Sequence, residues 1–343
     1  MLRRICNPLL FILVFISFYW ACSYKNSSYG DFEHIIVFAD SVIYKNVRPE
    51  LEQIFDQYVY TPVSEKSFYL ELKPIDRLDN YKQYRNLLFI GILNGEDPVS
   101  QYIDRSLAPE VKQALKDGRI FQIFQEDLFA EEQITLILTA TDLITLKQNL
   151  LAFKEVIYNR MESYYFDRLE RLMFFKGEQT ELEDYIATNY GWKIRIQHDY
   201  YLVKESEDGN FIWLRRLDPD RSLFVYRFKA KGLDREDSGW LIEKRDSLGT
   251  IYFESDSVSK EDSYMVNTEF CGFPAVKLIG IWQNHKLFIG GPFRTYAFFD
   301  PEQKYIYMVD ILVTAPDKRK KPYLDQLEVM ANTFRLLTSR TSM

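Results

Sequence analysis

From Thr180 to Leu337 the chain reads as a helix, four strands, a helix, four strands and a closing helix. An antiparallel sheet covered by helices accommodates that order, and few other architectures do. The first helix, Thr180 to Asn189, stops at Gly191. Strands are expected at Trp192–Ile196, Tyr200–Lys204, Phe211–Arg216 and Leu223–Phe228, with turns at Asp208-Gly209-Asn210 and Asp218-Pro219-Asp220. The middle helix runs from Ser238 to Leu248, with Gly249 ending it. Four more strands follow at Met265–Phe270, Ala275–Trp282, Arg294–Phe299 and Tyr305–Thr314. The last helix, Lys321 to Leu337, carries Tyr323, Leu327, Met330 and Phe334 on one face.

The first half is patterned differently. His34–Ala39 is a short, almost continuous apolar run, which suits a strand buried on both faces. Pro49 opens a helix with Leu51, Ile54, Phe55 and Tyr58 along one stripe. Phe68–Leu72 and Leu87–Leu93 read as strands, Pro109–Asp117 as a helix closed by Gly118, and Ile120–Phe124 with Ile134–Ala140 as a hairpin. One long helix is expected from Asp142 to about Phe175. Lys176-Gly177-Glu178 then separates an α/β domain at 33–176 from an antiparallel-sheet domain at 177–343, a mixed α/β (α+β) chain overall. Phe124 and Phe299, Thr139 and Thr314, Ala140 and Ala315, and Asp142 and Asp317 are equally spaced. In both places a hairpin ends in Thr-Ala-x-Asp and delivers a helix. That echo fits either a duplication or convergence on Asp as a helix-starting residue.

The N-terminus bears on location. Arg3 and Arg4 precede an apolar run, Leu9–Trp20, followed by Ala21-Cys22. The run is well short of the roughly 20 residues that span a bilayer, and the pattern is that of a secretory signal. The segment resembles a bacterial lipoprotein signal, with Tyr19 where the usual motif has Leu. The resemblance implies cleavage after Ala21 and fatty acylation (palmitate among the acyl groups) of Cys22. Residues 22–32 would then be a polar tether, and the protein would be held in the cell envelope, facing the periplasm on the outer or inner membrane. The competing expectation is an uncleaved anchor helix. Lys and Arg number 43 against 50 Asp and Glu, a net charge of −7; losing Arg3 and Arg4 makes it −9. An acidic chain is a poor partner for nucleic acid, and head-group attraction cannot replace a lipid anchor. With Cys6 in the signal and Cys22 acylated, Cys271 has no intramolecular disulfide partner and reads as core.

Several stretches together resemble a bacteroidete-type family of envelope lipoproteins carrying a domain of unknown function. They are Val37-Phe38-Ala39-Asp40-Ser41, Tyr60-Thr61-Pro62, Gly95-Glu96-Asp97-Pro98-Val99-Ser100, Trp213-Leu214-Arg215-Arg216, Lys244-Arg245-Asp246-Ser247-Leu248-Gly249, Trp282-Gln283-Asn284, Gly290-Gly291-Pro292-Phe293 and Ala315-Pro316. The family brings no activity with it. The element order of the second half is similar to the PsbP/Mog1 type of α/β/α sandwich, which implies a binding or assembly module.

The chemistry-bearing motifs are sparse. His34, His198 and His285 lie in separate elements and no Cys-x-x-Cys occurs, so no metal site is expected. There is no Gly-x-Gly-x-x-Gly, P-loop or Gly-x-Ser-x-Gly pattern, so no nucleotide cofactor and no serine nucleophile is expected. Gly95-Glu96-Asp97-Pro98 reads as a turn that caps the next helix. The most site-like stretch is Trp282–Phe299. Trp282 and Phe293 are expected to flank a groove that stacks on a flat ligand or a sugar face, with Arg294 supplying charge. Arg245 and Asp246 are added as neighbours of that groove. If the groove is open, Trp282 and Arg294 are dispensable to the fold. The function expected is non-catalytic binding or assembly, with an envelope protein or a glycan as partner. The alternative is a glycan hydrolase using two carboxylates, which spacing does not single out among 50 acidic residues.

Overall fold

The computed structural model describes residues 25–337; the expected signal segment and Cys22 lie outside them. In chain order the first half contains β1 (His34–Ala39), α1 (Ser41–Phe55), a ribbon of β2 (Tyr58–Val59) and β3 (Glu65–Lys66), β4 (Tyr69–Lys73) and α2 (Leu78–Tyr81). It continues with β5 (Asn86–Ile92), α3 (Pro98–Ser106), α4 (Pro109–Lys116), β6 (Gln122–Glu126), β7 (Ile134–Ala140), α5 (Leu143–Ala152) and α6 (Lys154–Phe175). The main strands form one sheet in the order β4-β1-β5-β7-β6, parallel except for β6. Helices cover both faces, and this is why β1 is an apolar run. Ile35 and Val37 face the core shared with α1, α5 and α6, while Ile36 and Phe38 pack against Val99 and Ile103 of α3.

Three local readings are corrected here. Pro49 does not open α1 but lies inside it. The start is Asp40, whose carboxylate accepts from the Val42 and Ile43 amides at 2.8 and 3.3 Å. Burial of Val47, Leu51 and Ile54 outweighs the hydrogen bond that the proline forfeits. The long helix breaks at Phe153, letting α5 remain on α1 while α6 runs on to the second half. The polar stretch expected to be a tether is docked from Asn26 onward: Glu131 N donates to Asn26 O, Ser28 N to Glu131 O, and Tyr29 N to Gln83 O.

The second half contains α7 (Thr180–Tyr190), β8 (Trp192–Lys193), β9 (Tyr201–Glu205), β10 (Phe211–Arg216), β11 (Asp220–Lys229), α8 (Gly239–Tyr252) and β12 (Ser257–Val258). After these come β13 (Tyr264–Phe270), β14 (Phe273–Asn284), β15 (Ile289–Asp300), β16 (Tyr305–Thr314), α9 (Lys321–Asn332) and β17 (Arg335–Leu336). Eight strands make an antiparallel sheet in the order β12-β14-β15-β16-β11-β10-β9, with β13 also on β14. The second half is therefore the antiparallel sheet flanked by helices that its element order implied, and the chain is mixed α/β. On one face α8 covers Phe224, Leu278, Phe293 and Met308. On the other, α9 covers Tyr296, Val309 and Ile311, and that core runs without interruption into the first sheet.

The closing helix ends at Asn332, earlier than expected, because Arg335 and Leu336 pair with β8 as β17. The spaced Thr-Ala-x-Asp echo joins unlike structures, since β7 belongs to a mostly parallel sheet and β16 to an antiparallel one. Asp142 caps α5 by accepting from Thr145 N at 2.9 Å, but Asp317 sits in a turn at φ +58° and α9 starts only after Lys320.

Gly249 does not end α8, which continues to Tyr252. It is there because a Cβ would stand 2.0 Å from the Asp256 carbonyl oxygen. On an exposed helix Gly→Ala gains up to about 1 kcal/mol. At this contact Gly249→Ala should instead cost about 1–3 kcal/mol by overpacking. Urea unfolding decides the sign, and a raised midpoint would show that α8 does not press on Asp256.

Candidate functional site

β14 pairs with β15 so that Gly280 faces Phe293 and Trp282 faces Gly291, while Ile279 faces Arg294. Side chains alternate across a strand, so Phe293 and Arg294 must point to opposite faces. Trp282 and Phe293 lie in the core beneath α8. Arg245 comes down from α8 with its guanidinium 3.8 Å from the centre of the Phe293 ring. It donates from Nε to Asp310 Oδ2 at 2.8 Å, and Thr295 Oγ1 donates to the same carboxylate. Burial pushes the Asp310 carboxyl up, while Arg245 and Thr295 push it back down. Asp246 accepts from the Val258 amide at 2.7 Å and so anchors β12. The five residues singled out by sequence therefore do not line one open groove, and Trp282 and Arg294 are both built into the fold. The paired glycines serve close approach within the sheet: a Cβ on Gly291 would stand 2.0 Å from Val313 O.

Arg294 opens instead onto a cleft of about 430 Å³ between the two halves. That is within the range of ligand sites, which favour such interfaces. Tyr58, Tyr60, Tyr158 and Tyr165 come from the first half, and Tyr264 and Lys277 from the antiparallel sheet. Lys321, Asp325, Glu328 and Asn332 line the cleft from one face of α9, the positions i, i+4, i+7 and i+11. The apolar stripe of the same helix was legible in sequence; the polar stripe opposite it was the missed signal.

The charges here are paired. Glu328 accepts from Lys277 Nζ at 2.8 Å and Arg294 Nη1 at 2.6 Å. Burial would push the Glu328 carboxyl up, but the two cations outweigh it and hold the pKa below the usual range. Burial likewise pushes the Lys277 ammonium down, with Glu328 opposing. Asp325 accepts from the Tyr165 hydroxyl at 2.7 Å and from Lys321. Burial and then the Asp325 charge push the Tyr165 phenol well up. Glu162 accepts from Tyr158 at 2.8 Å. Arg319 extends the network to Glu33 at 2.7 Å and Glu65 at 3.2 Å. In the wall of the cleft, Arg294 Nε is buried without a protein partner.

A general acid needs a carboxyl whose pKa is raised towards neutrality, and Glu328 is shifted the other way. Cys271 is not in the cleft. It turns the β13–β14 hairpin with Gly272, at φ +49° and +84°, its Sγ 3.6 Å from Asn332 O. Burial pushes its thiol up to about 11, leaving no thiolate at neutral pH. Among the described residues, no three or more His, Cys, Asp and Glu side chains gather as metal ligands would. Asp97 does cap α3, accepting from Val99 N and Ser100 N at 3.0 and 2.9 Å.

Residues 179–333 match the family model described as Domain of unknown function (DUF4837), and residues 28–174 match Domain of unknown function (DUF8532). The two matches divide the chain as its two sheets do. No curated protein matches the chain. Among solved structures, the Ran-binding protein Mog1p of Saccharomyces cerevisiae is 10% identical with a TM-score of 0.31, covering 43% of this chain and 92% of its own. A mutant of protein Mog1 gives 9% identity, a TM-score of 0.30 and the same coverages. LpqN, involved in cell envelope biogenesis of Mycobacterium tuberculosis, gives 13% identity and a TM-score of 0.27, covering 43% of this chain and 83% of its own.

Removing one partner of a buried ion pair costs about 3–5 kcal/mol, so Glu328→Gln should lower stability by that order at pH 7. Because the folded-state pKa of Glu328 is depressed, its contribution is complete above the unfolded carboxyl value of about 4.3. It is lost as pH falls through the lower folded value. The gap between wild type and variant should therefore narrow as pH falls below about 4. Urea unfolding at pH 7 and at acid pH tests this; a gap that does not change with pH removes the ionic account of the cleft.

Proposed function

We propose that this chain is a lipid-anchored envelope protein whose two halves form one non-catalytic binding module, with the polar cleft between them as the receiving surface. One observation carries the binding reading: the carboxylates lining the cleft are already engaged by Lys277, Arg294, Lys321, Tyr165 and Tyr158. Groups held in that way position a ligand rather than exchange protons with it. Tyrosines at the rim supply rigid area and hydroxyls at low entropic cost, and Tyr264 is half exposed there. An envelope protein or a glycan is the partner class that the location favours. The glycan hydrolase reading finds no support in the cleft, where Glu328 is held ionised.

The anchor is proposed from Met1–Ala21 and Cys22. Among the described residues no helix is long and apolar enough to cross a membrane. One acyl chain holds a protein only marginally, each buried CH₂ adding about 0.8 kcal/mol, so stable attachment takes more than one chain. Facing the periplasm, the acidic body would hang from that lipid rather than from head-group charge.

Two measurements in intact cells test this. Wild-type protein should take up an alkynyl fatty acid and sediment with membranes, whereas Cys22→Ser takes up none and leaves the lipid-bound pool. Protein without label that retains Met1–Ala21 by mass would overturn the anchor. A photoreactive residue in place of Tyr264 should crosslink to an envelope component, and one in place of exposed Ile144 on α5 should not. Equal crosslinking from both positions would overturn the cleft as the receiving surface.

A further inference from the structure

The two edges of the antiparallel sheet are finished differently. β9 is five residues long, carries Lys204 and Glu205, and lies against a register shift at Trp213/Leu214 of β10. Charge and bulges are the usual means of keeping an edge from pairing. β13, on the opposite side, lacks both. Its seven residues, Tyr264–Phe270, pair with Phe273–Ile279 of β14 in unbroken register. They include no Lys, Arg or Pro, and one carboxylate, Glu269, near the turn.

The hairpin turn decides which backbone groups face outward. Cys271 and Gly272 both have positive φ, so this is a two-residue primed turn, closed by hydrogen bonds between Phe270 and Phe273. Bonded and unbonded pairs alternate from there. Phe270, Thr268, Val266 and Tyr264 bond to β14, whereas Met265, Asn267 and Glu269 direct N–H and C=O away from it. Pro274 sits opposite Glu269, in an unbonded pair where its missing N–H costs this ladder nothing. Among the described residues no other backbone group bonds to these three, and the one side-chain contact on their carbonyls is Thr268 Oγ1 to Glu269 O at 3.3 Å. The edge is also accessible: Tyr264 is 47% and Val266 38% exposed, and Asn267 and Glu269 are exposed beside them.

We infer that β13 accepts an extended, basic segment of another protein as an added strand. A row of N–H and C=O groups at strand spacing is matched by another polypeptide backbone, and neither a glycan nor a lipid has that repeat. Side chains of the added strand alternate between the two faces. Those on the side of Tyr264 and Val266 meet exposed apolar surface that continues through Lys277 and Ile279 into the cleft. Apolar, β-branched residues at alternate positions suit that face. Charge separates another protein from a second copy. Asp234, Glu236 and Asp237 lie in the loop that Arg235 ties to Asn267 Oδ1 at 2.9 Å, and Glu261, Asp262 and Glu269 flank the edge itself. Residues 234–237 and 260–269 thus hold six exposed carboxylates against Arg235 and Lys260. Asp234 and Asp237 accept from backbone amides and Asp262 from hydroxyls, so these three are not neutralised. A second copy sets that excess against itself, whereas a strand flanked by Lys or Arg is drawn to it. The choice of partner rests on the cleft as the receiving surface, onto which half of the added side chains project.

Two measurements test this. In hydrogen exchange of the purified full-length protein, followed by NMR, the amides of Met265, Asn267 and Glu269 should exchange fast and those of Val266 and Thr268 slowly. Protection of the first three would show the edge already covered, by a second copy or by this chain, and overturns the inference. In intact cells, a photoreactive residue in place of Val266 should form an adduct with another protein, mapped by mass spectrometry to a segment bearing Lys or Arg. Asn267→Pro removes an outward N–H without taking one from the ladder. It should lower the adduct yield about tenfold while the Thr268 amide stays protected, and Asn267→Ala, which keeps the N–H, should crosslink as its parent does. An adduct with a second copy, with a glycan, or with a segment free of Lys and Arg overturns the inference. So does an adduct indifferent to Asn267→Pro, or none at all. If the photoreactive residue at Tyr264 still crosslinks where the one at Val266 does not, the strand falls and the cleft stands; loss of both removes both.

Discussion

Glu328, receiving Lys277 and Arg294 from β14 and β15, fixes α9 on the antiparallel sheet, and α9 is the helix that meets the first half through α6. The mostly parallel sheet and the antiparallel one share no strand pairing among the described residues, so they are joined through packing of α6 on α9 and through polar contacts between them. An apolar seam tolerates sliding, because many hydrophobic arrangements have similar energy. A buried charge does not, since losing its partner costs several kcal/mol. Any shift of α9 along β14 and β15 would strand Glu328 or its cations. Asp325 with Tyr165, and Arg319 with Glu33 and Glu65, apply the same constraint on the side of the first half. The cleft keeps its shape because the charges lining it admit one register.

A second fixed charge orders the first half internally. Arg168 of α6 is fully buried, and its hydrogen bonds among the described residues go to an amide and to carbonyls rather than to a carboxylate. Its guanidinium donates to Asn86 Oδ1 at 2.6 Å and to the carbonyls of Glu132 and Arg85 at 3.1 and 3.2 Å. Burial pulls its pKa down to about 10, still charged at neutral pH. It therefore ties α6 to the entry of both β5 and β7, and so sets where the helix leaves the parallel sheet to reach α9.

Most strands were legible because their signal is local. Ile35–Ala39 and Leu87–Ile92 are apolar runs, and Tyr305–Thr314 is one but for Asp310, so their burial follows largely from composition. Helix limits were less so, because Pro49 and Gly249 carry meanings that tertiary contacts override. Asp40 starts α1 ahead of its proline, and the Asp256 carbonyl, not a helix end, demands Gly249. The groove was misplaced for a reason that was present in the sequence. Phe293 and Arg294 are consecutive in a strand, so one residue of register sends them to opposite faces. What no spacing could supply was the pairing itself, since Arg245 meets Asp310 across 65 positions and Arg319 meets Glu33 across 286.

The β14–β15 pair ends up as a wall with two faces. Even-numbered positions of β14, among them Leu278, Gly280 and Trp282, look towards α8. Lys277 and Ile279 look towards α9 and the cleft. For one face to signal to the other, the strands would have to slide or roll. Gly280, Gly290 and Gly291 oppose that, because each lets a neighbour approach so closely that a Cβ would not fit. Interiors packed in this way switch between discrete arrangements rather than deforming continuously, and the close contacts around these glycines oppose small slides of β14 against its neighbours. The sheet therefore separates the two surfaces.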